Sequence, residues 1–487
     1  MVRSLRTTGK SQERCLGMYH PPMDGSYGIQ LDRGRGQSLS GQIADGIRSA
    51  IRDGRLAPGA RLPSWNDLAA QLGVARGTVR AAYEQLADGQ FVVPSGAAGT
   101  RVARRPPATR LETEPVRGQS SLGAFPAGAI KPMPFQVGVP AADLFPATLW
   151  SRMLAHAARS VGPLGYPDAR GEPELRAEIA GYLAVARGFP CHPAQVFITH
   201  GYAGACSIAL RALKLHGTSA WVEDPGYPFA RTALGWAGVK PVPVPVDDEG
   251  LIVAEGIRRA PDAAVALVTA GQQAPLGMPL SLERRHALLD WAHAGDGWVI
   301  EDDYLGELQL SRHAVPALAS MDTRRVIHIG SFSKTMAPAL RIGYLVVPLD
   351  LIDGVSEVVG TLEPAPPPTL QHALTAFMHG GHYLRHLRRM KRAYAERRAA
   401  LSATLERLGV PHDASGLAVI ARLPDGVDDM AVVRAALEVD LSPVPLSPWY
   451  GGDTPRHGLI LGVTNVPVER AAGHVERLWD IVRRQLP

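Results

Sequence analysis

Five short apolar runs constrain this chain more than any other feature: Val196-Phe197-Ile198-Thr199, Ala220-Trp221-Val222, Val265-Ala266-Leu267-Val268, Trp298-Val299-Ile300 and Val326-Ile327-His328-Ile329. Each is too short for a helix, reads as a buried strand, and is separated from the next by helix-length sequence. Strands alternating with helices predict a mainly parallel α/β sheet. The runs lead into Gly201-Tyr202-Ala203, Glu223-Asp224-Pro225-Gly226-Tyr227, Thr269 and the loop Gln272 to Gly277, Glu301-Asp302-Asp303-Tyr304, and Ser331-Phe332-Ser333-Lys334. Parallel strands bring these ends to one edge, where open α/β sheets bind ligands.

The last strand end carries the most specific chemistry. Ser331 and Ser333 flank Lys334, and Arg341 follows seven residues later, before a second apolar run, Ile342 to Val347. Hydroxyls and a guanidinium suit phosphate oxygens. A lysine amine suits a carbonyl held as a Schiff base. Phosphate and aldehyde on one molecule describe pyridoxal 5′-phosphate (PLP). In that reading Asp302 keeps the pyridine nitrogen protonated, Tyr304 donates to the ring oxygen, and Tyr227 stacks on the ring. A helical stretch from about Ala203 to Leu213 follows the strand-like run Val196–Thr199, and the residues leading into it, Gly201, Tyr202 and Ala203, offer backbone N–H groups to the phosphate.

The chain has 487 residues, enough for two or more domains. No run of 18 apolar residues predicts a membrane span, and the first 30 residues lack the apolar core of a secretory signal. Cys15, Cys191 and Cys206 form no CxxC pair and fit a reducing cytoplasm. Residues 1–105 hold 15 Lys+Arg against 8 Asp+Glu, a balance of +7; the rest holds 36 against 38, or −2. A basic N-terminal unit beside a near-neutral large one points to a polyanion partner.

Residues 1–27 read as a disordered tail. Residues 28–104 read as a DNA-binding domain. Leu39, Ile43, Ile47 and Ile51 form one helical stripe, with Ser38 or Ser40 as N-cap. Ser64 caps a short helix through Leu72, Gly73 turns the chain, and a third helix spans Arg76 to Asp88 with Val79, Tyr83 and Leu86 inward. Phe91–Val93 and Arg101–Ala103 predict a two-stranded wing. This pattern, with Leu62-Pro63-Ser64, Leu72-Gly73-Val74 and Gly99-Thr100, resembles the winged helix-turn-helix of the GntR family of regulators. The resemblance implies DNA contacts from Arg76, Thr78 and Arg80 on the third helix, with Arg61, Ser64 and Thr100 on the phosphate backbone. Asn66 stands where the family usually has Arg, and Ala75 where it usually has a capping residue. Residues 105–133, with Pro106-Pro107, Pro115 and Pro126, have linker composition.

Residues 134–487 resemble fold-type I aminotransferases, through Leu144-Phe145-Pro146, Tyr166 with Gly171, Glu223 to Pro228, Glu301 to Tyr304 and Ser331 to Lys334 with Arg341-Ile342-Gly343-Tyr344. The whole chain from about residue 28 is similar to the MocR subfamily, which fuses the two parts. The likeness implies Lys334 as the Schiff-base lysine, Ser331, Ser333 and Arg341 on the phosphate, Tyr166 reaching a neighbouring subunit's phosphate in a homodimer, Ile342–Val347 as an antiparallel strand, and a small C-terminal subdomain after Leu384–Leu401. Three places depart from the aminotransferase pattern: Ala203 and Gly204 replace paired glutamines, Ala274 replaces the Asn that touches the ring oxygen, and Ile460 replaces the arginine that holds a substrate carboxylate. The leading expectation is an operator-binding transcriptional regulator that binds PLP and senses PLP or a small amine or amino acid. The alternatives are a working aminotransferase with an accessory DNA-binding unit, and a regulator whose pocket has lost PLP.

Overall fold

A computed structural model describes residues 27–34, 36–106, 131–160, 162, 165–310, 315–452 and 454–486. All of the expected tail (1–27) except its last residue, and most of the expected linker (105–133), lie outside them. The chain divides into two compact units, Met1–Gly118 and Gln119–Pro487.

In the first unit, α1 (Leu39–Arg52) starts at Ser38, whose hydroxyl accepts from the Gly41 N–H. Helix α2 (Trp65–Leu72) starts at Ser64, whose hydroxyl accepts from the Asp67 N–H. Gly73 then adopts φ +62°, a left-handed turn that a side chain would strain, and α3 (Arg76–Asp88) follows. No side chain caps α3 at Ala75. Ile43, Ile47, Leu68, Val79 and Leu86 are fully buried between the helices. The Tyr83 hydroxyl donates to the Pro63 carbonyl at 3.0 Å, tying α3 to the entry of α2. The wing is an antiparallel pair, β1 (Val92–Pro94) and β2 (Thr100–Val102). Both strands lie one residue toward the loop from the expected ones, because Phe91 and Ala103 turn into the core while keeping one backbone hydrogen bond.

The second unit opens with α4 (Ala147–Ser160) and α5 (Pro173–Arg187), then β3 (Val196–Thr199) and α6 (Gly201–Ala212). Next come β4 (Ser219–Asp224), α7 (Pro228–Trp236), β5 (Lys240–Asp247), β6 (Gly250–Leu251), α8 (Val253–Arg259), β7 (Val265–Val268), α9 (Leu282–Ala294) and β8 (Trp298–Asp302). The major sheet closes with β9 (Val326–Ser331) and β10 (Gly343–Val346). Its strand order is β3-β10-β9-β8-β7-β4-β5-β6. Strand β10 runs antiparallel to both β3 and β9, while β4, β5, β7, β8 and β9 pair in parallel. Apolar clusters cover both faces of the sheet.

Strand β5 was not legible in the sequence, because Lys-Pro-Val-Pro-Val-Pro-Val breaks the usual strand composition. It tolerates Pro241, Pro243 and Pro245 next to the sheet margin, where only the two-residue β6 follows. Helix α6 begins at Gly201, two residues before the expected start. After α10 (Ile352–Thr361) and α11 (Pro368–His379), the long α12 (His382–Arg407) leads to a smaller antiparallel sheet. That sheet comprises β11 (His412–Ser415), β12 (Ala418–Arg422), β13 (Val444–Pro445) and β14 (Gly458–Gly462), with α13 (Asp429–Leu437) and α14 (Ala471–Arg484).

Candidate functional sites

The strand ends of β3, β4, β7, β8 and β9 meet at one edge of the major sheet. Asp302, the last residue of β8, is buried, and its carboxylate accepts no hydrogen bond among the described residues. Burial pushes its pKa up to about 8, an effect that the Lys334 charge partly offsets and that Asp303 and Glu223 reinforce. Lys334 lies in the turn after β9. Burial lowers its pKa, with Asp302 acting against that and Arg341 adding to it. The raised carboxyl and the lowered amine lie within electrostatic reach of each other, the kind of perturbed pair that clusters at functional sites.

The Lys334 Nζ donates to the Gly138 carbonyl at 2.9 Å. Gly138 has φ +79°, a conformation that favours glycine, and a Cβ there would crowd that Nζ at 3.0 Å. Gly138 was not among the residues singled out from the sequence. Its partner lies 196 residues away, and no local signal marks it.

The N-terminus of α6 faces Arg341. That residue, at φ +50°, donates through Nη2 to the His200 carbonyl at 2.9 Å, and a Cβ on Gly201 would lie 3.7 Å from its guanidinium carbon. Ser331 is buried and its hydroxyl accepts from the Ser333 N–H at 3.2 Å. Ser333 is half-buried and Ala203 exposed. Guanidinium, hydroxyls and the first N–H groups of a helix thus gather at one point, a combination suited to phosphate.

Around the acid sit three tyrosines. The Tyr202 and Tyr227 rings pack edge to face at 5.6 Å, and Tyr227 leans on Trp449 at 5.9 Å. Burial, with Asp302 second, raises the pKa of Tyr227 and of Tyr304, keeping both phenols protonated donors. Tyr166 stands apart from this group and is fully exposed on the single chain.

Behind Asp302 the alternation of the strand sends Glu301 and Asp303 to the opposite face. Asp303 pairs with Arg187 of α5 at 2.8 Å. Glu301 accepts from the Leu318 and Ala319 N–H groups and pairs with His328 of β9 at 2.9 Å. These buried pairs were not anticipated; they lock the end of β8, and so Asp302, against α5 and β9. Glu223, also buried, accepts from the Thr269 hydroxyl at 2.5 Å, and burial raises its pKa to about 7.

Around Ile460, which takes the place of the aminotransferases' carboxylate-binding arginine, the surroundings are apolar. Ile460 of β14 packs with Ala274, Ile420, Val444, Leu446 and Trp449, and against Tyr227 and Tyr304. Gln273 donates to the carbonyls of Pro225 and Ala274 and accepts from the Leu276 N–H, so its amide holds its own loop. Arg231 is engaged by the carbonyls of Gly226, Trp449 and Pro448. Arg456 is exposed.

In the N-terminal unit Arg61, Ser64, Arg76 and Arg80 are exposed, while Thr78 and Thr100 are half-buried. The Ser64 hydroxyl donates to Asp67 at 2.7 Å besides capping α2. Arg61 lies along Gly99 of the wing, whose Cβ would meet its Nε at 3.1 Å. Arg76 makes no side-chain hydrogen bond or ion pair among the described residues.

Comparison with known proteins agrees with this two-part architecture. Residues 39–102 match the model for bacterial regulatory proteins of the gntR family, and residues 131–438 that for aminotransferase class I and II. The probable rhizopine catabolism regulatory protein MocR of Rhizobium meliloti is 35% identical over 90% of this chain and 92% of its own. The chain belongs to the MocR-type regulators of the gntR family. MocR-type regulators join a DNA-binding helix-turn-helix to an aminotransferase-like domain, and this chain carries both parts. The HTH-type transcriptional regulator TauR of Rhodobacter capsulatus is also 35% identical, over 77% of this chain and 81% of its own. Among solved structures, an archaeal alanine:glyoxylate aminotransferase shares the fold of the larger part, with TM-score 0.67 and 23% identity, over 74% of this chain and 92% of that one. The aminotransferase class is PLP-dependent as a rule. No helix among the described residues is long and apolar enough to cross a membrane.

Proposed function

We propose that this MocR-type regulator holds PLP at Lys334 and changes its operator affinity when PLP or a small amine occupies the site. The observation that carries the reading is a desolvated lysine amine near a buried aspartate that no group among the described residues hydrogen-bonds, beside a helix N-terminus that faces Arg341. The residues fit the cofactor. Arg341, Ser331, Ser333 and the N–H groups of Gly201, Tyr202 and Ala203 would take its phosphate, Asp302 its ring nitrogen, Tyr304 its ring oxygen, and Tyr227 its face. When bound, PLP supplies an electrophilic carbonyl and an electron sink.

The chain's own contribution is positioning. Burial lowers the pKa of Lys334, which favours the neutral, nucleophilic amine. Asp302 would hold a proton at the ring nitrogen, and the Arg187–Asp303 and Glu301–His328 pairs keep its carboxylate in place. Regulation needs a ligand that binds two states of the protein unequally. Two copies acting together would supply them, and the fully exposed Tyr166 supports a homodimer in which a second subunit covers it. Arg76, Thr78 and Arg80 would read the operator, with Arg61, Ser64 and Thr100 on its backbone.

Titration of the purified chain with PLP should develop a visible absorption band that borohydride fixes to the protein, and Lys334→Ala should abolish the fixed adduct. Operator affinity should change on adding PLP or an amine to the wild type only. Sustained transamination at about 1 per second or faster would overturn the regulatory reading in favour of an enzyme.

A further inference from the structure

The DNA-reading helix contains a feature that its family resemblance does not supply. Arg80 projects from α3 with its side chain 62% exposed, yet it is held on two sides. Its Nε donates to Glu84 Oε1 at 2.8 Å, one turn along the same helix. Its guanidinium carbon lies 5.6 Å from the centroid of the Trp65 ring. Trp65 is the first residue of α2 and remains 46% exposed, so its ring face is open to the Arg80 guanidinium.

The two contacts act on different parts of the guanidinium. The indole face attracts the cation and restricts the tilt of its plane. The Glu84 bond occupies Nε alone, which leaves the Nη1 and Nη2 end without a partner among the described residues. That end is the fork that matches O6 and N7 of guanine in a major groove. A free arginine must give up rotamer freedom to make this contact, whereas a stacked and anchored one has lost most of it beforehand. Arg76, one turn earlier on α3, has no such restraint among the described residues.

We propose that Trp65, together with Glu84, is a positioning residue that presents Arg80 as a preformed fork for one guanine of each operator half-site. This rests on the operator reading above. Trp65 acts through Arg80 and touches no base itself.

The test uses the full chain and a pool of randomised duplex DNA from which bound sequences are recovered. The wild type should enrich one guanine per half-site that Arg80→Ala no longer selects. Trp65→Ala should lower the preference for that same guanine about fivefold, a size fitting an exposed cation–π contact, and leave the salt dependence of binding unchanged. Trp65→Phe should keep most of the preference, and Glu84→Gln should weaken it. Adding Trp65→Ala to Arg80→Ala should cost nothing further at that position. Unaltered guanine preference in Trp65→Ala, or a loss spread equally over all sequences and additive with Arg80→Ala, would overturn the role given to Trp65. A wild type that enriches no sequence would overturn the operator reading itself, and this proposal with it.

Discussion

A carboxyl group with a pKa near 8 costs the folded chain stability whenever it must ionise. Asp302 is such a group, because burial strips its carboxylate of water and no group among the described residues donates to it. Folding raises its pKa, so the folded chain keeps a proton that the unfolded chain releases above about pH 4. The larger unit should therefore lose stability as pH rises from about 4 to 8, by ~1.4 kcal/mol per pH unit for each such group. Asp302→Asn should reduce that slope by one proton and raise the melting temperature at pH 8, measured without added PLP. It should not flatten the slope, since Glu223 and Glu307, each raised to about 7 by burial, remain. The same variant should bind PLP more weakly. A pH profile of melting identical to wild type would show that Asp302 is not the buried acid described.

Two elements carry the departures that distinguish this regulator. Helix α3 begins at Ala75 with no side chain to bond its first N–H groups, though α1 and α2 both have a serine there. Ala75→Ser should stabilise the N-terminal unit by about 1 kcal/mol, read as slower amide exchange in the first turn of α3. Unchanged exchange would mean that the added hydroxyl does not reach the helix. Strand β14 carries Ile460 into an apolar cluster beside Tyr227 and Tyr304. A carboxylate placed there would be desolvated with no cation, at a cost of several kcal/mol. In the presence of PLP, 2-phenylethylamine should thus alter operator binding at concentrations at least ~100-fold lower than L-phenylalanine, which differs only by its carboxylate; the ratio follows from ~3 kcal/mol of uncompensated desolvation. Equal potency of the pair, or a stronger response to the amino acid, would refute the assignment of an amine to this pocket.

Across the whole molecule the charge is divided: +7 over residues 1–105 and −2 over the remainder. Operator affinity should accordingly fall steeply with salt, with a log–log slope of roughly 0.9 per phosphate neutralised. Arg76→Ala should lower operator affinity by ~1–3 kcal/mol while leaving affinity for unrelated DNA nearly unchanged, since a base contact is lost and few phosphate contacts are. Equal losses on both DNAs, in a filter or anisotropy titration over a salt series, would move Arg76 from the bases to the backbone. The features legible in the sequence are those set by neighbours in the chain. Helix stripes, serine caps, the Gly73 turn and the apolar runs that became β3, β4, β7, β8 and β9 each follow from residues a few positions apart, so their periodicity showed where they lie. The convergence of Asp302, Tyr304, Ser331, Ser333 and Lys334 was readable too, because parallel strands must end on one edge. Other contacts depended on the path of the chain between distant residues. Gly138 under Lys334, Arg187 against Asp303, Trp65 over Arg80 and the apolar shell of Ile460 join elements whose adjacency was settled only when strand order and helix packing brought them together. Local sequence determines which element forms and which groups stand at its end; only the tertiary structure decides what those groups face, because burial and partners are properties of the packed whole.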